Sequence, residues 1–345
     1  MEKIRAAIIG LGRIASLLED DRLREKPCTH AGAIAAHRDC RLAAGCDSDA
    51  ERRRLFAGRW QVPVYGDAAA MLEAEGPQLL VIATHPDSHA RYCGLAAARG
   101  VPVLVCEKPL ADSLGGARYI ARLAAAGGKR AGALRILVNH ERRYAADYGR
   151  ARAILEEGRL GALLSVRAVL YMGNSRRLLD VLWHDGTHLA DAIMYLSGSV
   201  MKHDRAWGAR LTGREGTAWL SGRLIRTAAP SAAGGQRGVS APVPFVIETG
   251  AGRDHLVFEM EFSCASGRLR IGNGIFEVRE SRESPYAEGF RSLERTGEVF
   301  EGKTGYFSGM IADAAACVRD PLRRPRSSAA DGLRVIEYLH SVRAW

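Results

Sequence analysis

The first 139 residues alternate between short apolar runs and longer alanine-rich stretches. The apolar runs have the length of β-strands and lack polar alternation, which is typical of parallel strands covered on both faces. The stretches between them have the length of helices. This order predicts a doubly wound α/β domain. The predicted strands are Ile4–Ile9, Arg41–Cys46, Leu79–Ala83, Val103–Cys106 and Ile136–Val138, and the predicted helices are Asp49–Gly58, Asp67–Glu75, Ser88–Arg99 and Ser113–Ala126.

After about residue 144 the pattern changes to a short helix, a strand, one long helical stretch, a series of strand-like runs and two final helices. Consecutive strands joined by tight turns such as Ser266-Gly267 indicate a mainly antiparallel sheet. The short helix runs through Ile154 and ends at Gly158; the strand is Leu163–Leu170, the long helix runs from Leu178 to Leu196, the strand-like runs lie near 200–209, 216–226, 243–250, 255–263, 267–272 and 275–279, and the final helices are Gly305–Val318 and Ser328–Val342.

The change in pattern predicts two domains, because 345 residues exceed what one hydrophobic core usually fills. We expect an N-terminal doubly wound domain of the Rossmann type at residues 1–139. We expect a C-terminal α+β domain with a large, mainly antiparallel open sheet at residues 140–345. The helix at 328–342 is expected to pack back on the first domain. The loop Ala228–Gly238 is predicted to be a hairpin tip.

The composition, 47% hydrophobic and 26% charged, is that of a globular protein. The net charge of +10 is spread along the chain without a basic helix or arm, so we expect no nucleic-acid binding. A basic cleft for a phosphate or carboxylate fits the charge better.

No apolar run reaches about 18 residues, and the N-terminus is already a strand, so we expect neither a membrane span nor a secretory signal. Seven dispersed cysteines without a C-x-x-C pair indicate reduced thiols in a cytoplasmic protein and no zinc site.

A glycine-rich loop, Gly10-Leu11-Gly12-Arg13-Ile14-Ala15, stands where the first strand is expected to give way to a helix. Gly10 permits a tight turn, Gly12 lets the backbone approach a pyrophosphate, and the small Ala15 lets helix and strand pack closely. The N–H groups that open such a helix attract phosphate. The loop therefore predicts dinucleotide binding through Gly10, Gly12, Arg13 and Ile14. The alternative is a tight turn in an unrelated α/β protein.

An acidic residue at the end of the second strand, Asp47, is placed to bind the ribose hydroxyls and to repel a 2′-phosphate, which favours NAD over NADP. Its spacing from the loop is longer than usual because of the polar stretch Glu19–Thr29, which we interpret as an insertion before a helix that begins near His30. Arg52–Arg54 could weaken the preference for NAD. The same aspartate could instead cap the helix that follows.

Two further segments stand at the carboxyl ends of the fourth and fifth strands, where open α/β sheets bind ligands. They are Thr84-His85-Pro86-Asp87-Ser88-His89 and Cys106-Glu107-Lys108-Pro109-Leu110. A lysine at this position is held toward the cleft, although a solvated loop lysine is the alternative. Thr84, His85, His89, Glu107 and Lys108 are assigned to the cofactor site together with the glycine loop.

A third segment, Trp183 to Asp191, places His184, His188 and Asp191 on one face if it forms a single helix. Two histidines at this spacing could bind zinc, but a third ligand is missing and a glycine lies between them. A buried helix with satisfied polar side chains is the other interpretation.

In this order, the segments GLGRIA, ATHPDSH, CEKPL, NHERRY (139–144) and HDGTHLAD resemble the Gfo/Idh/MocA oxidoreductases over essentially the whole chain. The resemblance implies that Lys108 and His188 act at the substrate hydroxyl. His188 would be the general base, and Lys108 would stabilise the developing alkoxide. It also implies substrate binding at Arg143, and dimers or tetramers formed through the open sheet.

The chain departs from the family pattern at one position. Members commonly carry an aspartate four residues before the histidine, where this chain has His184, and the carboxylate follows as Asp185. We assign Asp185 to catalysis and His184 to substrate binding, with Gly186 making a shifted turn inexpensive.

The sequence therefore predicts an NAD(P)-dependent oxidoreductase, with NAD preferred, that acts on a secondary alcohol or ketone of a sugar, cyclitol or sugar derivative. The expected state is a homodimer or homotetramer. Two alternatives remain: an enzyme with tightly bound NAD that oxidises its substrate transiently, as in glycosidase-like or epimerase-like reactions, and a non-catalytic NAD(P)-binding regulator.

Overall fold

The computed structural model describes residues 2–126, 134–173, 176–226 and 241–343. The chain forms two compact units. The first contains residues 1–146 and 303–336, and the second contains residues 147–302 and 337–345. None of the helices in the described ranges is both long enough and apolar enough to cross a bilayer. The predicted loop at 228–238 lies outside the described residues.

The first unit is built on a six-stranded parallel sheet in the order β3-β2-β1-β4-β5-β6. The five predicted strands are confirmed to within a residue at each end. The additional strand β3 has only two residues, too few to show a hydrophobic pattern. The strands are β1 (Ile4–Ile9), β2 (Cys40–Cys46), β3 (Val64–Tyr65), β4 (Leu79–Ile82), β5 (Val103–Cys106) and β6 (Arg135–Val138).

Helices flank this sheet, and several begin with a side chain that bonds the first free N–H groups. Asp49 accepts from the N–H groups of Glu51 and Arg52, and Asp67 accepts from that of Ala70. The helices of this unit are α1 (His30–Ala36), α2 (Ala50–Trp60), α3 (Ala68–Glu75), α4 (Pro86–Ala98) and α5 (Leu114–Ala126). A 3-10 helix at Glu141–Tyr144 follows β6.

Residues from the far end of the chain complete the core of the first unit. Helix α9 (Tyr306–Arg319) places Phe307 and Ile311 in the same apolar cluster as Ile4 and Val81. The hydroxyl of Tyr144 donates to the carboxylate of Asp313. Helix α10 (Ala329–Arg343) begins in this unit, with Gly332 against Val138 and Leu110. The domain boundary at residue 139 stays a prediction.

The insertion Glu19–Thr29 separates the glycine loop from the helix that the sequence predicted to begin near His30, and this helix start is confirmed. The loop is followed by a single turn and a 3-10 helix, Leu17–Asp20, and α1 begins only at His30. The N–H groups of His30 and Ala31 donate to the carbonyls of Ile14 and Ala15 at 3.2 and 2.9 Å. These two bonds take the place of the backbone bonds that a continuous helix would make. The residues between Ala15 and His30 form a loop that leaves and rejoins the line of hydrogen bonds.

The second unit is built on an eight-stranded sheet in the order β14-β13-β12-β11-β7-β10-β9-β8. Its pairs are antiparallel except for the parallel pair β7 and β10, which confirms a large, mainly antiparallel sheet. The strands are β7 (Leu163–Tyr171), β8 (Ser199–Gly208), β9 (Gly216–Arg226), β10 (Val243–Ala251), β11 (Val257–Cys264), β12 (Gly267–Gly272), β13 (Ile275–Glu283) and β14 (Arg291–Arg295), and β14 was not predicted.

Helix α6 (Ala146–Glu156) leads into β7, and two helices follow that strand where the sequence predicted one. The prediction of a single helix from Leu178 to Leu196 was wrong. The chain forms two helices, α7 (Leu178–His184) and α8 (Gly186–Ser197), with a break at Asp185. Gly186 is the first residue of α8 and directly follows the break. His184 therefore does not continue the helical face of His188.

Candidate functional site

The candidate residues fall in both compact units. In the first unit they lie at the carboxyl ends of β1, β2, β4 and β5, except for Arg143 in the 3-10 helix after β6. Strands β1, β4 and β5 are neighbours in the sheet, so their carboxyl ends share one edge.

Gly10 makes the sharp turn that ends β1. Its φ of +89° is one that other residues rarely adopt. A Cβ atom added here would lie 2.7 Å from the backbone carbon and oxygen of Ala83, so the loop is pressed against the end of β4. A side chain is excluded from this position both by the backbone angle and by the lack of space.

Gly12 faces open space instead. An added Cβ would have only the Arg52 guanidinium within 4 Å, at 3.9 Å. Among the described residues, none accepts a hydrogen bond from the backbone N–H of Gly12, Arg13 or Ile14. An accessible backbone with unused N–H donors is what a pyrophosphate requires, so the loop fits a dinucleotide.

Asp47 lies at the end of β2 and is buried. One carboxylate oxygen accepts from the N–H of Leu11 at 2.8 Å, and the other accepts from the N–H of Asp49 at 2.9 Å. The aspartate therefore fastens the glycine loop to β2. Each oxygen retains a second lone pair, so these bonds leave acceptor capacity for ribose hydroxyls.

Two arginines of α2 surround Asp47. A guanidinium nitrogen of Arg52 lies 3.7 Å from its carboxylate, and the Arg52 side chain is half-exposed. Arg53 donates to the backbone carbonyls of Asp47 and Ser48 at 2.8 and 2.9 Å. Arg53 is thus committed to the backbone, whereas Arg52 keeps donors that face solvent beside Gly12.

At the end of β4, Thr84 receives a hydrogen bond from the Ser88 hydroxyl at 2.7 Å, and His85 is exposed at the start of α4. His89 is fully buried. Its Nε2 lies 3.1 Å from the Thr84 carbonyl, and its Nδ1 lies 3.1 Å from the carbonyl of Pro109. Burial lowers the pKa of His89 below its usual value. This ring ties the end of β4 to the turn after β5.

The turn after β5 carries Glu107 and Lys108, and the Lys108–Pro109 bond is cis. One carboxylate oxygen of Glu107, Oε1, accepts from His30 Nε2 at 2.7 Å and from Asn139 Nδ2 at 2.6 Å. The other, Oε2, accepts from the backbone N–H of Lys108 at 3.1 Å. Burial alone would raise the pKa of Glu107. This effect is outweighed by the hydrogen bond and charge of His30, the charge of Lys108 and the hydrogen bond of Asn139, which together lower the pKa to about 2.

The low pKa of Glu107 predicts a dependence of stability on acid. Because the folded-state pKa lies near 2 and the ordinary value near 4.5, the ionised carboxylate favours the folded state above pH 4.5, and this contribution disappears as the pH falls toward 2. It is on the order of 3 kcal/mol. In urea titrations from pH 5 to pH 2, the free energy of unfolding should fall more steeply for the natural chain than for Glu107→Gln. Parallel curves would contradict an ionised Glu107.

Arg143 was predicted to bind substrate. The structure buries it, with its guanidinium 3.4 Å from the Asp331 carboxylate and 3.1 Å from the carbonyl of Arg326. These contacts join the 3-10 helix after β6 to the first turn of α10 and to the segment that precedes it. A substrate-binding role for Arg143 stays a prediction.

In the second unit, the candidate residues surround the break between α7 and α8. His184 is exposed, and its Nδ1 lies 3.2 Å from the carboxylate of Asp185, which also lies 3.6 Å from Arg176. His188 is half-buried, one turn into α8, and Asp191 is fully buried on the same helix. The structure thus brings His184, Asp185 and Arg176 into one polar cluster.

Sequence reasoning missed His30 and Asn139. His30 is the first residue of α1. The residue before it, Thr29, caps the helix by accepting a hydrogen bond from the N–H of Gly32. Asn139 directly follows β6, at the same edge of the sheet as Lys108. A polar residue directly after a buried strand of this sheet was the available signal for Asn139. Within the described ranges, no three His, Cys, Asp or Glu side chains are grouped so that they could hold a metal ion.

Comparison with known proteins agrees with this geometry. Residues 4–133 match the model of the oxidoreductase family with an NAD-binding Rossmann fold, GFO_IDH_MocA. Over 160 residues the chain is 32% identical to inositol 2-dehydrogenase of Pseudomonas fluorescens, covering 46% of this chain and 43% of that one. Over 121 residues it is 32% identical to D-apiose dehydrogenase of Rhizobium rhizogenes, covering 35% of this chain and 33% of that one. The matches span less than half the length of these relatives.

The fold of the whole chain is also found among solved structures. UDP-N-acetylglucosamine 3-dehydrogenase of Acidithiobacillus ferrooxidans superposes with a TM-score of 0.74 at 18% identity, covering 100% of this chain and 98% of that one. At this identity the likeness concerns the fold alone.

Proposed function

We propose that this chain, which belongs to the Gfo/Idh/MocA oxidoreductase family through residues 4–133, is an NAD-dependent dehydrogenase or reductase of a sugar or cyclitol. The observation that carries the proposal is the arrangement at one edge of the parallel sheet. An open glycine loop with unused N–H donors follows β1, and Lys108, whose backbone N–H donates to the buried Glu107 carboxylate, lies in the turn after β5. The named relatives that act on inositol and D-apiose support the substrate class.

The cofactor would be held by the backbone of Gly12, Arg13 and Ile14 at its pyrophosphate and by Asp47 at its adenosine ribose. Bound NAD supplies the hydride acceptor. His188 takes the proton of the substrate hydroxyl as the hydride leaves the same carbon, so one C–H and one O–H bond break and a carbonyl forms. The Lys108 ammonium donates a hydrogen bond to that oxygen and stabilises its developing charge.

The test is a screen of sugars, cyclitols and nucleotide sugars for NADH or NADPH fluorescence, with Lys108→Ala and His188→Ala run beside the natural chain. We expect turnover on at least one polyol and its loss in both variants. Wild-type turnover in both variants would overturn the assignment of these residues. Conversion of a substrate without net NADH would favour the alternative in which NAD stays bound and oxidation is transient.

Cofactor preference gives a further prediction. Asp47 repels a 2′-phosphate, so Asp47→Asn should lower the ratio of the NADPH dissociation constant to the NADH dissociation constant by about tenfold. Arg52 attracts a 2′-phosphate, so Arg52→Ala should raise the same ratio. Fluorescence titration of both nucleotides measures the ratio. Arg54→Ala is the control, because Arg54 is exposed and paired with Glu51. An unchanged ratio in Asp47→Asn would remove Asp47 from the ribose site.

A further inference from the structure

Glu107 is held by side chains from separate segments of the first unit. The carboxylate can only accept hydrogen bonds when ionised, so His30 carries its proton on Nε2 and Asn139 donates through its amide. Both donors meet at the same oxygen, Oε1, and the remaining oxygen receives the Lys108 N–H. The backbone of the lysine turn is therefore fixed through the glutamate, and the glutamate is fixed by α1 and by the end of β6.

The network is poorly suited to a purely stabilising role. His30 Nδ1 and Asn139 Oδ1 are buried and have no hydrogen-bond partner among the described residues. Neither atom has a protein partner to replace the bonds it makes to water in the unfolded chain, and an apolar residue at the same place would need none. The His30 ring also packs edge-on against Phe307, with 5.2 Å between the ring centroids. Such an arrangement indicates that a defined geometry is retained at the expense of stability.

His30 also contacts the nucleotide loop through its backbone. Its N–H donates to the carbonyl of Ile14 at 3.2 Å, in the turn that follows Gly12, while its side chain bonds Glu107. One residue at the start of α1 thus connects the glycine loop to the turn that carries Lys108. Both ends of this connection lie in the first unit, and both belong to the proposed reaction.

We propose that His30 is a positioning residue that, through Glu107, sets the place of Lys108 relative to the nucleotide loop. The inference rests on the proposed function, because it assigns Lys108 a role in the reaction. Without the His30 donor, the Glu107 carboxylate loses one of its two bonds at Oε1 and the lysine turn is no longer held in one arrangement. The pyrophosphate loop keeps its own bonds to Asp47, so cofactor affinity is retained.

The experiment compares His30→Leu, which removes the donor, with His30→Gln, whose amide can replace Nε2. Tyr144→Phe is the matched control. It removes a hydrogen bond between a buried tyrosine and the buried carboxylate of Asp313 in the same apolar cluster. We expect His30→Leu to lower kcat at least about tenfold while the NADH dissociation constant changes less than about twofold. His30→Gln should recover most of kcat, and Tyr144→Phe should keep it.

A double-variant cycle separates positioning from general destabilisation. If His30 acts through Lys108, His30→Leu should lower kcat no further once Lys108→Ala is present. Equal kcat in His30→Leu and Tyr144→Phe, or independent losses in the cycle, would overturn the inference. If His30→Leu does not fold, Asn139→Ala removes the other donor to Oε1, and a wild-type kcat in that variant overturns it as well. Wild-type turnover in Lys108→Ala would instead defeat the proposed function itself.

Discussion

Replacing His188 by alanine is expected to lower kcat by about 100-fold to 10,000-fold, the range typical of losing a positioned general base. The physical reason is that hydride cannot leave the carbinol carbon unless the hydroxyl proton also leaves, and water is a poorly placed acceptor. Stopped-flow and steady-state assays on a substrate found in the screen measure the loss. Added imidazole should restore part of the rate, since it supplies the missing base.

His255→Ala is the control for His188→Ala, because His255 lies in the same unit, is exposed and pairs with Asp254. Its kcat should equal that of the natural chain. A His188→Ala enzyme that kept kcat within a few-fold, with no response to imidazole, would show that the base is another group.

Replacing Gly10 by alanine is expected to lower the free energy of unfolding by about 3 kcal/mol or more. The new Cβ would meet the Ala83 backbone at 2.7 Å, and alanine rarely adopts a φ of +89°. Urea unfolding followed by circular dichroism measures the change. A variant as stable as the natural chain would mean that the loop is not pressed against β4.

Gly12→Ala is the matched comparison, since its Cβ meets nothing closer than 3.9 Å. Its stability should be unchanged or higher by up to about 1 kcal/mol, because alanine restricts the unfolded chain. NADH affinity should nevertheless fall at least about tenfold, since the added methyl group occupies the approach to the pyrophosphate. The two glycines would then be distinguished as one for the fold and one for the ligand. Undiminished NADH binding by Gly12→Ala would place the pyrophosphate elsewhere.

Local patterns were sufficient to predict the central strands and the ends of most helices. Strands such as Leu79–Ile82 and Val103–Cys106 are buried at every position, so a continuous apolar run identifies them. The glycine loop was also readable, because Gly10 and Gly12 stand at the end of such a run. These features depend on neighbours in the sequence, which a single chain displays directly.

Features that depend on distant partners were not predictable. Nothing near His30 shows that its ring meets Glu107, 77 positions further along the chain. The stretch from Leu178 to Leu196 has one helical pattern on both sides of Gly186, so the sequence showed that a shifted turn was permitted there but not that one helix ends at His184. Strand β14 is mostly exposed and carries little apolar signal. In each case a tertiary contact or a local backbone change decides the structure.

The hydrogen bonds between the insertion Glu19–Thr29 and the segment before α9 have a consequence for how the chain folds during synthesis. The carboxylate of Glu25 accepts from the N–H groups of Thr304 and Gly305 at 2.7 and 2.8 Å, next to the start of α9. Phe307 and Ile311 then fill the core beside β1 and β4. A ribosome must therefore synthesise more than 300 residues before the nucleotide-binding unit can close its core. Until then, apolar side chains of the nascent β-strands stay uncovered, a condition that makes an incompletely folded chain prone to aggregation.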